Sequence, residues 1–573
     1  MNAAEEVMLD VNALAQGEKF MSVGQVEVSD DNNLLAYTVD NVGFRQYKLH
    51  IKDLRTGTVL PDTAERVDSV AWAADNKTLF YVSEDAQTKR SDILHRHELG
   101  TSTDTPVFNE KDERFNLNVD RVRDGKYLIL SDNSHITSES QFLPADQPKA
   151  SWQVIEPRRD NVLYNVDEGN GRFYIVVNDT SKANRVVTAP VATPGKAHWT
   201  ELIAAKDDRP ITDINIFRDF YEVTSSVKGL PTLQIVPIQG GSAKFIAFPE
   251  AAYTAAAATN KEFDTDLFRY SYESPVTPPS TFDYRVKQGD SKLLKEQKVP
   301  NYDKSLYAVE RLMLPSRDGA LVPTTIVYRK DSFKRSENPL FVYAYGSYGV
   351  TIPDSFNVAW IALRDRGVVT AVSHIRRGGE LGEAWHDGGK MMAKRNTFTD
   401  FIDTTEELLK HGYGKPGQVG IEGASAGGLL MGAVTNMRPD LFKVVLAEVP
   451  FVDVMNTMLD ATLPLTVSEY EEWGNPNQKA AFDYMRTYSP YDNVVAKKYP
   501  AMLVETSFDD SQVMYWEPSK YVAKLRALNT GTDPLVFFIN MHGGHGGSSG
   551  RYDQIRERDK YYAFLLTQLG IKQ

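Results

Sequence analysis

The chain has 573 residues, 42% of them hydrophobic and 25% charged, with a formal net charge of −13 and a pI near 5.4. That length exceeds one hydrophobic core and predicts two or more domains of an ordinary soluble, globular kind. The acidic balance lacks the basic footprint of a general nucleic-acid binder and suits cationic ligands. There is no cysteine, which removes disulfides, thiolate metal sites and a cysteine nucleophile. It fits a cytoplasmic protein and leaves the periplasm open. No apolar stretch approaches the about 20 residues of a membrane span, so no membrane partner is expected. The opening Met1-Asn-Ala-Ala-Glu-Glu is acidic without an apolar core and does not read as a signal peptide.

The first three hundred residues read as β structure. Apolar and aromatic strings recur at Leu35–Tyr37, Leu79–Val82, Tyr127–Leu130, Phe173–Val177, Phe220–Val223 and Leu267–Tyr270, with starts 44, 48, 46, 47 and 47 residues apart. Most are followed by a second alternating run and a turn, as in Leu49–Gly57 and Leu233–Gly241. Self-similarity at this period favours β-propeller blades, four-stranded sheets that bury their faces against their neighbours. A large sandwich with evenly spaced hairpins is the alternative. Residues 1–300 are assigned to this domain.

From about residue 305 strands alternate with helices, and residues 301–573 form the second domain. Strands are predicted at Leu340–Tyr343, Val368–Ser373, Val419–Ile421, Val444–Ala447, Met502–Glu505 and Leu535–Ile539. Helices are predicted over Thr397–His411, from Leu429 to Met437, from Pro518 through Leu528, and around Ile555 to Leu569. Repeated βα units imply a doubly wound, mostly parallel sheet covered on both faces, with its site at the carboxyl ends of the strands.

Gly423-Ala-Ser-Ala-Gly-Gly428 sits at one strand-to-helix crossing. Gly-x-Ser-x-Gly in that context is the nucleophile elbow of an α/β-hydrolase, a sharp turn that strains its serine and admits only small neighbours. In a chain with 38 glycines the string alone is weak; its position makes it strong. The fold takes its partners in the order serine, acid, histidine. Of ten histidines only His542 and His545 follow Ser425, both in a glycine-rich loop after the last strand. Their His-x-x-His spacing could mark a metal pair, but no third ligand lies nearby, and no metal or cofactor is expected. Asp509 and Asp510 compete for the acid. A serine hydroxyl needs a histidine to accept its proton and a carboxylate to fix that histidine. The oxyanion needs preorganised donors. The Ala426 N–H is one, and the segment Ala344–Gly349, with its two tyrosines, should supply another.

The catalytic half closely resembles the oligopeptidase B group of the prolyl oligopeptidase family of serine peptidases. The resemblance is carried by Tyr343–Gly349, His374–Gly382, Asn396–Asp400, the elbow, Val449–Val454, Glu469–Pro476, Tyr488–Asn493 and Gly544–Gly547. It implies Asp510 as the acid, His545 as the base and Tyr345 as the phenol of the oxyanion hole. It also implies Glu469 and Glu471 as the carboxylates that hold a lysine or arginine before the scissile bond, by charge-assisted pairing. Read alone, Glu469-Tyr-Glu-Glu472 would be a solvated acidic face.

Three departures stand out. Pro353 and Ser355 occupy positions where acids selecting a second basic residue are expected, with Asp354 between them. Arg377 breaks the family's run of three glycines. Family members carry helices before a seven-bladed propeller, whereas six repeats are visible here, so the amino-terminal segment and a seventh blade are expected to be missing or incomplete. The function implied is a serine oligopeptidase cleaving short peptides after lysine or arginine, its propeller restricting substrate size, as a monomer or homodimer. A post-proline peptidase, an esterase with the same triad, or an inactive propeller scaffold are the competing readings.

Overall fold

The computed structural model describes residues 5–571. Six four-stranded antiparallel sheets, each in sequential strand order, run from Ser22 to Glu296 among the described residues. Each apolar string named above forms part of the second strand of one sheet. Leu34–Asp40, Thr78–Glu84, Tyr127–Asn133, Arg172–Val177, Phe220–Val227 and Leu267–Glu273 are those strands.

The first five of these strands are largely buried on both faces and read as unbroken apolar runs; Leu267–Glu273 instead alternates, burying Phe268, Tyr270 and Tyr272 on one face. Five apolar clusters join consecutive sheets. Leu34 and Ala36 pack with Trp72 and Leu79; Phe80 and Leu94 pack with Leu117 and Leu128. Ile129 and Phe142 meet Phe173 and Ile175; Tyr174 and Val176 meet Ile214 and Val223. Phe217 and Phe220 meet Phe268 and Tyr270. Each sheet therefore stacks on the next, as propeller blades do. Lys261 reaches Glu27 at 3.5 Å between the last and first sheets.

The remaining strands form one eight-stranded sheet among the described residues. Its order is Tyr307–Pro315, Leu321–Arg329, Val369–Ser373, Leu340–Tyr343, Val419–Ala424, Val444–Glu448, Ala501–Ser507 and Leu535–Asn540. Only Leu321–Arg329 runs against the others. Alternate residues serve opposite faces. Val342, Ile421, Val445 and Val504 pack with the helices Arg395–Lys410, Ala426–Met437 and Trp516–Leu528. Phe341, Val444, Leu446 and Leu503 pack with Val358–Asp365 and Arg551–Gln568. The period of two places both helical layers without further instruction. In the last helix Tyr562, Leu565 and Leu569 are buried, but Ile555 is exposed. No described helix is long and apolar enough to cross a membrane.

A buried polar cluster ties the two parts together. Arg311 Nη1 donates to Asp354 Oδ2 at 2.7 Å, and its Nη2 donates to the Gly229 carbonyl in the fifth propeller sheet at 3.2 Å. Asp354 is thereby already occupied, and it also lies 3.4 Å from His374. His374 Nδ1 lies 3.3 Å from Glu380 Oε1, which in turn accepts from the Ile352 N–H. Burial alone would lower the pKa of His374, but Asp354 and Glu380 outweigh it and raise the value. A raised folded pKa stabilises the protein below the unfolded value of 6.5 and loses that contribution as pH rises through the folded value. Thermal midpoints measured upward from pH 6.5 should therefore fall, and His374→Gln should flatten that decline; an unchanged slope in the variant would contradict the assignment.

Candidate active site

Ser425 stands between the strand Val419–Ala424 and the helix Ala426–Met437, with φ 56° and ψ −119°. For a residue with a Cβ this backbone costs about 1–3 kcal/mol and persists only when the surroundings impose it. They do so by close approach. A Cβ on Gly423 would lie 2.3 Å from the Gly427 carbonyl oxygen, and one on Gly428 would lie 2.4 Å from Pro450. The Ser425 N–H donates to the Glu448 carbonyl on the next strand at 2.9 Å, and its own carbonyl accepts from Phe451 and Leu429, each at 3.1 Å. The Ala426 N–H opens the helix without an intrahelical acceptor.

Parallel strands deliver the partners to the same rim. Asp510 follows Ala501–Ser507 and is 1% exposed. Its Oδ1 accepts from the N–H groups of Gln512 at 2.9 Å and Val513 at 3.0 Å, so its carboxylate is fixed before it meets anything else. His545 follows Leu535–Asn540, and its Nδ1 lies 2.8 and 2.9 Å from the two Asp510 oxygens. That leaves Nε2 as the ring nitrogen free of Asp510. Asp509 is only partly buried and His542 is exposed; neither joins the pair. A cavity of about 1140 Å³ reaches His545, Ala424, Val449 and Ser507.

Tyr345 begins the turn after Leu340–Tyr343. Burial and the nearby Glu469 raise the pKa of its phenol, and its ring lies 3.3 Å from where a Cβ on Gly427, in the elbow, would stand. Tyr345 is thus set beside the elbow that carries Ser425.

The acidic turn is not solvated. Glu469 is buried, accepts from the Tyr348 phenol at 3.0 Å and from the Trp473 indole N–H. Burial pushes its carboxyl up to about 7, against the pull of those two donors and of His545. Glu471 lies 3.3 Å from Arg114, which reaches across from the propeller. Glu472 is fully buried and paired with Arg377. Sequence reasoning missed Arg114 and Lys394, which come from distant segments, and marked Arg377 only as a break in a glycine run.

Known proteins resemble this chain over nearly its whole length. Residues 1–297 match the model of the prolyl oligopeptidase N-terminal β-propeller domain, and residues 354–572 match that of the prolyl oligopeptidase family. The chain belongs to the prolyl oligopeptidase family. It is a serine-type endopeptidase of that family, similar to oligopeptidase B. Dipeptidyl aminopeptidase BI of Pseudoxanthomonas mexicana is 46% identical over 574 residues, covering 99% of this chain and 79% of that one. Protease 2 of Moraxella lacunata is 36% identical, covering 100% and 83%. Among solved structures, oligopeptidase B of Trypanosoma brucei with covalently bound antipain, in a closed form, superposes with a TM-score of 0.96 at 36% identity, covering 100% and 83%. That of Leishmania major gives 0.95 at 34%, covering 99% and 81%.

Gly428→Ala tests the crowding at the elbow. In an open helix the change would stabilise by about 1 kcal/mol. Here the new methyl meets Pro450, so the thermal midpoint should drop by the equivalent of about 1–3 kcal/mol; a rise would refute the packing argument.

Proposed function

We propose that this peptidase cleaves short peptides on the carboxyl side of lysine or arginine, with Ser425 as nucleophile, His545 as general base and Asp510 as its orienting carboxylate. The observation that carries the reading is the Asp510–His545 pair at the rim where Ser425 is held in its strained turn. Asp510 fixes the tautomer with the proton on Nδ1, so Nε2 takes the hydroxyl proton as Ser425 attacks the scissile carbonyl. The imidazolium that forms then returns that proton to the leaving amine, and water repeats the sequence on the acyl-enzyme. Oxygen charge in the tetrahedral intermediate is held by the Ala426 N–H and the Tyr345 phenol, two donors in place before the charge develops.

Glu469 and Glu471 would take the basic side chain of the substrate. Glu469 is aimed by Tyr348 and Trp473, and its buried carboxylate gains more from a guanidinium than a solvated one would. With Asp354 committed to Arg311, and Pro353 and Ser355 beside it, no preference for a second basic residue is assigned there. The propeller, residues 1–300, would cover the catalytic domain, residues 301–573, and admit short chains in preference to folded proteins.

Ser425→Ala should reduce turnover of an arginyl p-nitroanilide peptide by about 10⁴-fold or more; retained activity would remove the nucleophile. A series of peptides with arginine at internal positions or second from the amino end separates endopeptidase action from the release of dipeptides suggested by the name of the Pseudoxanthomonas relative.

The Glu469 carboxyl near 7 gives a second prediction. The arginine side chain needs the ionised form, so KM for arginyl substrates should fall as pH rises through about 7, while KM for neutral esters stays flat. Glu469→Gln should raise the arginyl KM and abolish this dependence. Identical pH profiles for the two substrate classes would refute the specificity role.

A further inference from the structure

Arg377 has φ 84°, in the left-handed region that favours glycine and strains other residues. It is nevertheless 1% exposed. Its Nε donates to Glu472 Oε1 at 2.5 Å, and its Nη2 meets Glu472 Oε2, so the fork of the guanidinium matches the carboxylate. The same Oε1 accepts from the Tyr348 N–H at 3.0 Å. The Arg377 carbonyl accepts from the Gly349 N–H at 3.1 Å. One buried ion pair therefore grips two consecutive amides of the turn that Tyr345 begins. From the other side Lys394 Nζ donates to the Gly346 carbonyl at 2.7 Å and to Ser347 Oγ at 3.1 Å.

We propose that Arg377, acting through Glu472, is a positioning residue that fixes the Tyr345–Gly349 turn, and with it both the oxyanion phenol and the Tyr348 phenol that aims Glu469. The proposal rests on the roles given to Tyr345 and Glu469 above. Core filling does not explain the pair. A buried ion pair is often no more stabilising than apolar residues of the same volume, and this one is bought with a strained backbone. Its hydrogen bonds go to the turn. Tyr348 is the shared element: its N–H is held by Glu472 and its hydroxyl by Glu469, so a shift of the pair moves the P1 carboxylate's donor and the oxyanion donor together.

The charges that face Arg377 limit what could replace it. Lys390, Lys394, His135 and His386 all feel its positive charge, and the phenols of Tyr348 and Tyr488 lie close. Lys390 is paired with Asp387 at 2.5 Å, and Lys394 is committed to the turn. Without Arg377, the Glu472 carboxylate is buried with no cation of its own.

Arg377→Gly relieves the backbone and strands that carboxylate. The expected result is a fall in kcat of about tenfold or more on both an arginyl amide and a neutral p-nitrophenyl ester, with KM for the ester changed by less than about threefold and KM for the arginyl amide raised as Tyr348 ceases to aim Glu469. The loss should deepen as pH rises, because the stranded carboxyl is neutral when protonated and disrupts the turn once ionised. Arg377→Gly with Glu472→Gln keeps an acceptor for the Tyr348 N–H and leaves no charge, so kcat should return to within about threefold and the added pH dependence should vanish. Thermal midpoints follow each variant. Full kcat in folded Arg377→Gly, or a double variant as impaired as the single one, would overturn the proposal. Should Arg377→Gly not fold, Arg377→Lys keeps one charge and loses the fork. It should lose kcat on the ester without a change in that substrate's KM, and parental kcat in it would overturn the proposal equally. Because the neutral ester has no basic side chain, its kcat reports on the turn even if arginine preference is absent.

Discussion

The site depends on one steric constraint: at the end of Val419–Ala424 the chain turns so tightly that no Cβ fits at Gly423 or Gly428. Ser425 is forced to φ 56°, and its hydroxyl is carried to the carboxyl end of a central strand. The neighbouring strands run parallel, so the loops after Ala501–Ser507 and Leu535–Asn540 open at the same edge. Asp510 and His545 arrive there as a consequence of topology, and the hydrogen bonds to Asp510 set its orientation before the imidazole is added. The close approach of Gly423 to Gly427 and of Gly428 to Pro450 is the local condition, and the parallel sheet is the global one.

Much of this was legible because it follows from period and order. A repeat near 47 residues located the second strand of every described propeller sheet, since five of those strands are largely buried on both faces and the sixth keeps an aromatic face at the same period. The alternating strands and helices gave the catalytic sheet for the same reason. Tyr307–Pro315 and Leu321–Arg329 went unmarked. The first is the sheet's edge strand, and its two exposed and several half-buried positions form a pattern that carries neither a clean alternation nor a solid run; the second, beside it, has its apolar run interrupted by Pro323, Thr324 and Thr325. Asp509 and Asp510 are adjacent and chemically identical, so only burial and partners separate them. The run Glu469–Glu472 looked solvated because charge runs usually are; here a turn beside an aromatic cluster buries it, and the cations that balance it lie 95 and 357 residues away in sequence.

Those three carboxylates show how identical side chains are made different by their surroundings. Glu472 meets a buried guanidinium and holds the turn through it. Glu471 meets Arg114, a partly exposed arginine already held by Asp112 at 2.6 Å, so its pairing is weaker and open to exchange with solvent. Glu469 meets only neutral donors, a phenol and an indole, and its carboxyl rises to about 7. A carboxylate that lacks a cation of its own is the one that gains most when a cationic ligand arrives. The cations come from separate elements, Arg114 from the propeller and Arg377 from the loop after Val369–Ser373, so the graded set is a property of the assembled fold and of no single segment.

The same assembly links the propeller to the imidazole. A Cβ on Gly544, next to His545, would lie 2.3 Å from the Gly43 carbonyl in the first propeller sheet, and the Met21 N–H donates to Ser549 Oγ at 2.9 Å. The histidine loop is glycine-rich and is held from below by Asn540 and Glu557, and this contact closes on it from the propeller side. On the opposite side His135 of the propeller stacks on Tyr348 at 5.9 Å. Two propeller sheets thus press on the two sides of the site, one against the loop that carries His545 and one against the turn that Tyr345 begins. Separation of the two parts would release both at once, so the contacts between propeller and catalytic domain also define the geometry of the site.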